Sequence, residues 1–84
     1  IKSGKRYKIT NQLAELAVDL NGNGKSVTGY NPHGGENQQW ILEEQVNGQW
    51  TIQSVNTLKY CGVEKASDNG THLVALDKPQ FWDI

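Results

Sequence analysis

Three features of this 84-residue chain predict an all-β fold: Asn-Gly dipeptides recur along it, short alternating or β-branched runs lie between them, and one strand pattern occurs twice. The dipeptides are Asn21-Gly22, Asn23-Gly24, Asn47-Gly48 and Asn69-Gly70. Each favours a tight hairpin turn, because Asn and Gly tolerate positive φ. The intervening runs are "YKIT" at 7–10, "WTIQSV" at 50–55 and "THLVAL" at 71–76. Short strands at this spacing suit a barrel or a sandwich. One segment has helical spacing: in "NQLAELAVDL", Leu13, Leu16, Ala17 and Leu20 fall at i, i+3, i+4 and i+7. An Asn-Gly turn ends that segment at once, so a loop over 12–15 leading into a strand over 17–20 is expected instead.

A chain of this size forms one small domain (1–84), with a thin margin of stability. Its formal net charge of −1 lacks the basic face of a nucleic-acid binder. No apolar run approaches the ~20 residues that cross a bilayer, so membrane insertion is not expected. There is no basic-then-apolar leader at the start of the sequence, though an upstream piece could precede Ile1. The single cysteine, Cys61, excludes an internal disulfide and is expected to be a buried, inert thiol. A soluble protein, cytoplasmic rather than secreted, is the expectation. The sequon Asn69-Gly70-Thr71 matters only in a secreted chain and reads more simply as a turn.

The repeat emerges on aligning the two halves. "RYKITN" matches "QWTIQS", with Tyr7 against Trp50 and Ile9 against Ile52; "AVDL" matches "YCGV"; "QQWILEE" matches "QFWDI", with Trp40 against Trp82. Repeat one spans 5–47 and repeat two 48–84, each holding four short strands and ending in Gln-x-Trp. A unit of about 40 residues with that ending resembles the ricin B-type (R-type, QxW) β-trefoil lectins. The run "TGYNPHGGENQQW" is most similar to the fungal members, and the resemblance covers residues 5–84. It implies a β-trefoil with two of its three repeats in this chain. Two repeats alone leave strand edges open. Either the sequence is incomplete, which is the favoured reading, or another chain (a second copy or a partner) supplies the third repeat.

The resemblance also implies a non-catalytic site for glycans of glycoproteins or glycolipids, weakly of the galactose or N-acetylgalactosamine type, with no cofactor or metal. A carboxylate accepts hydrogen bonds from adjacent ring hydroxyls, an aromatic face covers the C–H face of the pyranose, and an amide both donates and accepts. In repeat one these groups are Asp19, Tyr30, Asn37 and Gln38, and the "NPHGGE" insert adds His33 at the rim. Gln38 is expected both to bond backbone and to reach the sugar. Repeat two places Gly62, Leu76 and Pro79 against Asp19, Tyr30 and Asn37, while keeping Gln80 and Trp82. Gln-x-Trp therefore reads as a scaffold element, with Trp40 and Trp82 in the core, and the three divergent positions read as the site. On this reading Gly62→Asp is silent.

The alternatives remain in view. Asp19 could serve only the turn that follows it, Tyr30 could be an ordinary strand aromatic, His33 a solvated loop residue, and Asn37 a holder of its own loop. A calcium loop beginning at Asp19 would place Asn21, Asn23 and Gly24 at positions 3, 5 and 6, but position 12 is Tyr30 where a bidentate Glu is required. His33 and His72 lack further ligands at zinc spacing. No nucleophile–base pair indicates an enzyme, and Glu43 and Glu44 point to opposite faces of a strand. The principal alternative is a trefoil interaction module, such as a protease inhibitor or companion subunit, because fold alone does not decide function.

Overall fold

The computed structural model describes residues 1–11, 13–63 and 73–84. The Asn69-Gly70 turn, the sequon and the Thr71-His72 start of the last run lie outside them. Eight strands lie among the described residues, in chain order: β1 Lys5–Tyr7, β2 Thr10–Asn11, β3 Leu16–Leu20, β4 Val27–Tyr30, β5 Trp40–Glu44, β6 Trp50–Ser54, β7 Tyr60–Val63 and β8 Leu73–Leu76. A 3-10 turn, Glu36–Gln38, precedes β5. The strands form two antiparallel sheets, β1-β5-β6-β7-β8 and β2-β3-β4. A bridge between Ser26 and Val74 joins them, supported by the Ala75 N–H donating to the Lys25 carbonyl at 2.7 Å.

The expected "YKIT" strand is divided. Tyr7 pairs with Trp40 in the large sheet, whereas Thr10 pairs with Ala17 in the small one, so the chain changes sheets across Lys8 and Ile9. The helical spacing that follows yields no helix. Asn11 Oδ1 accepts the N–H groups of both Leu13 and Ala14 at 2.9 Å, and Glu15 takes a left-handed φ of 57°. This side chain offers the backbone a turn in competition with the helix, and β3 starts directly afterwards. Two of the expected Asn-Gly turns form with Gly24 at φ 72° and Gly48 at φ 84°.

The internal repeat is visible in the pairing. Tyr7 opposite Trp40 in repeat one is matched by Trp50 opposite Trp82 in repeat two. The indole N–H of Trp40 donates to the Val18 carbonyl at 3.0 Å, and that of Trp82 to the Cys61 carbonyl at 3.0 Å. Asp19 lies opposite Thr28 as Gly62 lies opposite Val74, and Tyr30 opposite Ala17 as Leu76 lies opposite Tyr60. The register thus equates Asp19 with Gly62 and Tyr30 with Leu76, as aligned from sequence.

Leu20, Val27, Trp40, Leu42, Cys61 and Ala75 form the buried core, flanked by Tyr7, Ile9, Val18, Trp50, Ile52, Leu73 and Trp82. Burial pushes the Cys61 thiol up to about 11, which keeps it protonated and unreactive at neutral pH. The two Gln-x-Trp tryptophans differ. Trp40 is fully enclosed, with β1 and β6 on either side of its strand. Trp82 is only partly buried, because it sits at a single bridge and not in the middle of a sheet.

Candidate functional site

Period-two alternation divides the labour on the β3–β4 hairpin. Val18, Leu20 and Val27 face the core. Asp19, Thr28 and Tyr30 fall on the other face, where the β3–β4 turn and the 3-10 turn complete a cleft of about 430 Å³ lined by Asp19, Asn21, Gly22, Thr28, Tyr30, His33 and Asn37.

Asp19 is its organising group, and it is only 4% exposed. Its Oδ2 accepts from Asn37 Nδ2 at 3.0 Å and from Gln38 Nε2 at 2.9 Å. Its Oδ1 takes no hydrogen bond from the described residues and is not sealed from solvent, so it is the oxygen presented to the cleft. A carboxylate so placed costs free energy unless paired or hydrogen-bonded, and the two amides meet that cost on one oxygen while leaving the other for a ligand. The turn role considered for Asp19 belongs to its neighbours. Asn23 Oδ1 accepts the Lys25 and Ser26 N–H groups at 2.9 and 3.0 Å, and Asn21 Oδ1 accepts from the Thr28 hydroxyl at 2.8 Å.

Gln38 corrects one expectation. It is fully buried and does not reach the cleft. Besides Asp19, its amide donates to the Asn31 carbonyl at 2.8 Å, and its Oε1 accepts from the His33 and Gly34 N–H groups at 2.9 and 3.3 Å. Every bond of this side chain is internal, so it ties Asp19 to the 31–34 loop. Asn37 also differs from the expected donor-and-acceptor. Its Nδ2 is occupied by Asp19 and, at 3.2 Å, by the Leu20 carbonyl, which leaves Oδ1 as an acceptor only.

Tyr30 is 57% exposed, so its ring is open to a ligand. His33 stands edge-on to it, with ring centroids 6.3 Å apart at 72°. His33 Nδ1 accepts from the Gly35 N–H at 3.0 Å, so the neutral imidazole carries its proton on Nε2, 3.8 Å from Asp19 Oδ2. That fold-back needs a glycine at 35, since a Cβ there would lie 2.7 Å from the His33 ring. The sequence reading omitted Asn21, Gly22 and Thr28. Strand geometry contained the signal, because Asn21 is two residues past Asp19 and Thr28 is its cross-strand partner.

A separate groove of about 320 Å³, among Leu16, Val18, Val27 and Leu73, is mainly apolar and contains no charged group. Among the described residues, no group of three or more His, Cys, Asp or Glu side chains could hold a metal ion. No helix among them is long and apolar enough to cross a membrane.

The sequence profile described as ricin-type beta-trefoil lectin domain-like matches residues 1–76. The chain belongs to that family. The Macrolepiota procera ricin B-like lectin, solved in complex with lactose, superposes on this ricin-type domain with a TM-score of 0.91 at 40% identity, over 99% of this chain and 60% of that one. The designed threefold-symmetric protein ThreeFoil superposes with a TM-score of 0.71 at 25% identity, over 94% of this chain and 56% of that one. No curated protein matches. The fold is therefore a ricin B-like β-trefoil, and this chain spans about 60% of the mushroom lectin's length.

Proposed function

We propose that this ricin-type domain is a non-catalytic glycan binder whose pocket is the repeat-one cleft. The observation that carries the reading is Asp19: one oxygen is held by two side-chain amides, and the other is open beside an exposed aromatic ring. In the proposed complex, Asp19 Oδ1 accepts from ring hydroxyls, and Asn37 Oδ1 accepts from another. His33 Nε2–H donates at the rim, and Tyr30 covers the C–H face of the sugar. Gln38 positions Asp19 and touches no ligand. Because Oδ2 is already bonded, the carboxylate is pre-oriented, which lowers the ordering cost of a weak interaction. The Macrolepiota procera lectin was solved with lactose, and this favours a galactose-type sugar. The partners would be galactose-bearing glycoproteins or glycolipids.

The test is calorimetric titration of the parent and of Asp19→Ala with methyl β-galactoside and N-acetylgalactosamine. Hydrogen bonds to a charged group are worth about 1.5–3 kcal/mol, so the variant should bind roughly 10- to 100-fold more weakly. Two amides, one of them fully buried, lose their shared acceptor, so the variant should also lose about 1–3 kcal/mol of stability, and the titration is run at a temperature where thermal melts show it folded. Equal affinity in the variant would move the pocket elsewhere, and a parent that binds neither sugar would favour the interaction-module reading.

A further inference from the structure

The repeat-one cleft does not end at Asn37. A second hollow of about 420 Å³ adjoins it, lined by Leu20, Asn21, Gly22, Gly24, Glu36, Asn37, Asn56 and Thr57. Asn21, Gly22 and Asn37 line both hollows, so the two share one wall. The far side of the second hollow comes from repeat two, from the turn that follows β6.

That turn is held firmly. Ser54 is fully buried, and its Oγ accepts the N–H groups of Asn56 and Thr57 at 3.1 and 3.3 Å. The Leu58 N–H closes onto the Ser54 carbonyl at 2.9 Å, with Leu58 itself at φ 64°. The Val55 N–H donates to the Gln39 carbonyl at 3.1 Å, fixing the turn against the segment that carries Asn37. Asn56 is exposed, and its side-chain amide has no partner among the described residues. Glu36 is likewise exposed and forms no ion pair with a described residue. A free amide and a free carboxylate therefore both line a hollow of mixed polar and apolar character next to the Asp19 cleft.

We propose that this hollow is a second saccharide subsite, so that the protein recognises a neutral glycan of at least two residues. The inference rests on the repeat-one cleft holding the first residue. The terminal sugar occupies the Asp19 cleft, the chain passes over Asn37, and the next residue meets Asn56 and Glu36. Neutral sugars are specified because Asp19 and Glu36 give the joined clefts two negative charges, which repel sialylated or sulfated residues. Repeat two, which has lost the pocket residues of its own unit, supplies Asn56 and Thr57 to this subsite.

Methyl β-galactoside, lactose and 3′-sialyllactose would be titrated by calorimetry into the parent, Asn56→Ala, Glu36→Gln and Asp19→Ala. One added bond to a neutral amide and one to a solvent-exposed carboxylate correspond to roughly 10-fold, so the parent should bind lactose tighter than the methyl galactoside by about that factor and bind sialyllactose more weakly than lactose. Asn56→Ala and Glu36→Gln should reduce the lactose advantage while leaving methyl galactoside affinity and melting temperature at parent values. Asp19→Ala should weaken both sugars together. Equal affinity of the parent for the two neutral ligands, or a lactose advantage that survives both subsite variants, overturns the second subsite without touching the first. Failure of the parent to bind either neutral ligand, or an Asp19→Ala variant that binds both as the parent does, removes the pocket beneath it and this inference with it.

Discussion

At corresponding points of the two units, repeat one carries Asp19 and repeat two carries Gly62, and a glutamine opens the Gln-x-Trp of each. Gln38 turns its amide onto the Asp19 carboxylate and the 31–34 loop. Gln80 instead turns onto the backbone of Val63, accepting its N–H at 2.8 Å and donating to its carbonyl at 2.7 Å. The Val63 carbonyl is the counterpart of the Leu20 carbonyl, which Asn37 satisfies in repeat one. Pro79 stands where Asn37 would be and has no amide to offer, so Gln80 takes over that bond. The same residue type in the same register thus holds a ligand acceptor in one unit and completes a backbone in the other. What differs is whether a carboxylate and an asparagine are present to direct it.

The tryptophans give the largest test of this comparison. Trp40 is fully enclosed and hydrogen-bonded, so Trp40→Ala should cost about 3–5 kcal/mol, enough to unfold a domain of this size. Trp82→Ala removes a partly buried ring and should cost less, by thermal or urea melts. Equal losses would mean that the two units share the core evenly.

A smaller effect is expected from Gly62→Asp, which sequence alignment alone makes silent. A Cβ at position 62 would lie 2.6 Å from Gln80 Oε1 and 2.7 Å from its Cδ. The glutamine must therefore leave Val63, exposing two backbone groups. Overpacking together with lost hydrogen bonds should destabilise by about 1–3 kcal/mol, with no gain of glycan binding, since Leu76 and Pro79 remain. A variant as stable as the parent would show that Gln80 has a second place to go, and that the two glutamines are not committed to different tasks.

These effects also show what the sequence could reveal. The all-β class, the repeat offset and the register of Asp19 against Gly62 were legible because hydrophobic alternation and Gln-x-Trp are periodic signals. The division of "YKIT" between two sheets was not, because a strand that turns a corner keeps its alternation on both sides. Asp19, Tyr30 and Asn37 were picked out by contrast between the units and His33 by its place in the "NPHGGE" insert, and the four line one cleft. The burial of Gln38 escaped the same contrast. A residue retained in both units is marked as scaffold, but its partners depend on its neighbours, and only coordinates show that Asn37 and Gln38 converge on one oxygen of Asp19. Asn56 carries no signal in its own segment; it matters through the packing of the β6–β7 turn against the 3-10 turn.

The smallest effect expected is none at all, on adding excess EDTA, and it tests whether repeat one owes its ordered β3–β4 turn to its own amides or to a cation. The acidic and amide oxygens of "DLNGNG" have the calcium-loop spacing, but two of the three side chains are committed elsewhere. Asn23 Oδ1 accepts two backbone N–H groups of the turn, and Asn21 Oδ1 accepts the Thr28 hydroxyl. Asn21 N–H donates to the Ser26 carbonyl at 2.8 Å, and Gly24 N–H to the Asn21 carbonyl at 2.8 Å, so the loop closes on itself. Asp19 is left as the one carboxylate, and Tyr30 stands where a calcium loop needs its bidentate acid. A single carboxylate with two engaged amides gives a hard divalent cation too few ligands to compete with water. Melting temperature and sugar affinity should therefore be the same with and without chelator. A drop in either would place a metal in the turn, and the difference between the two repeats would then include a cation as well as a carboxylate.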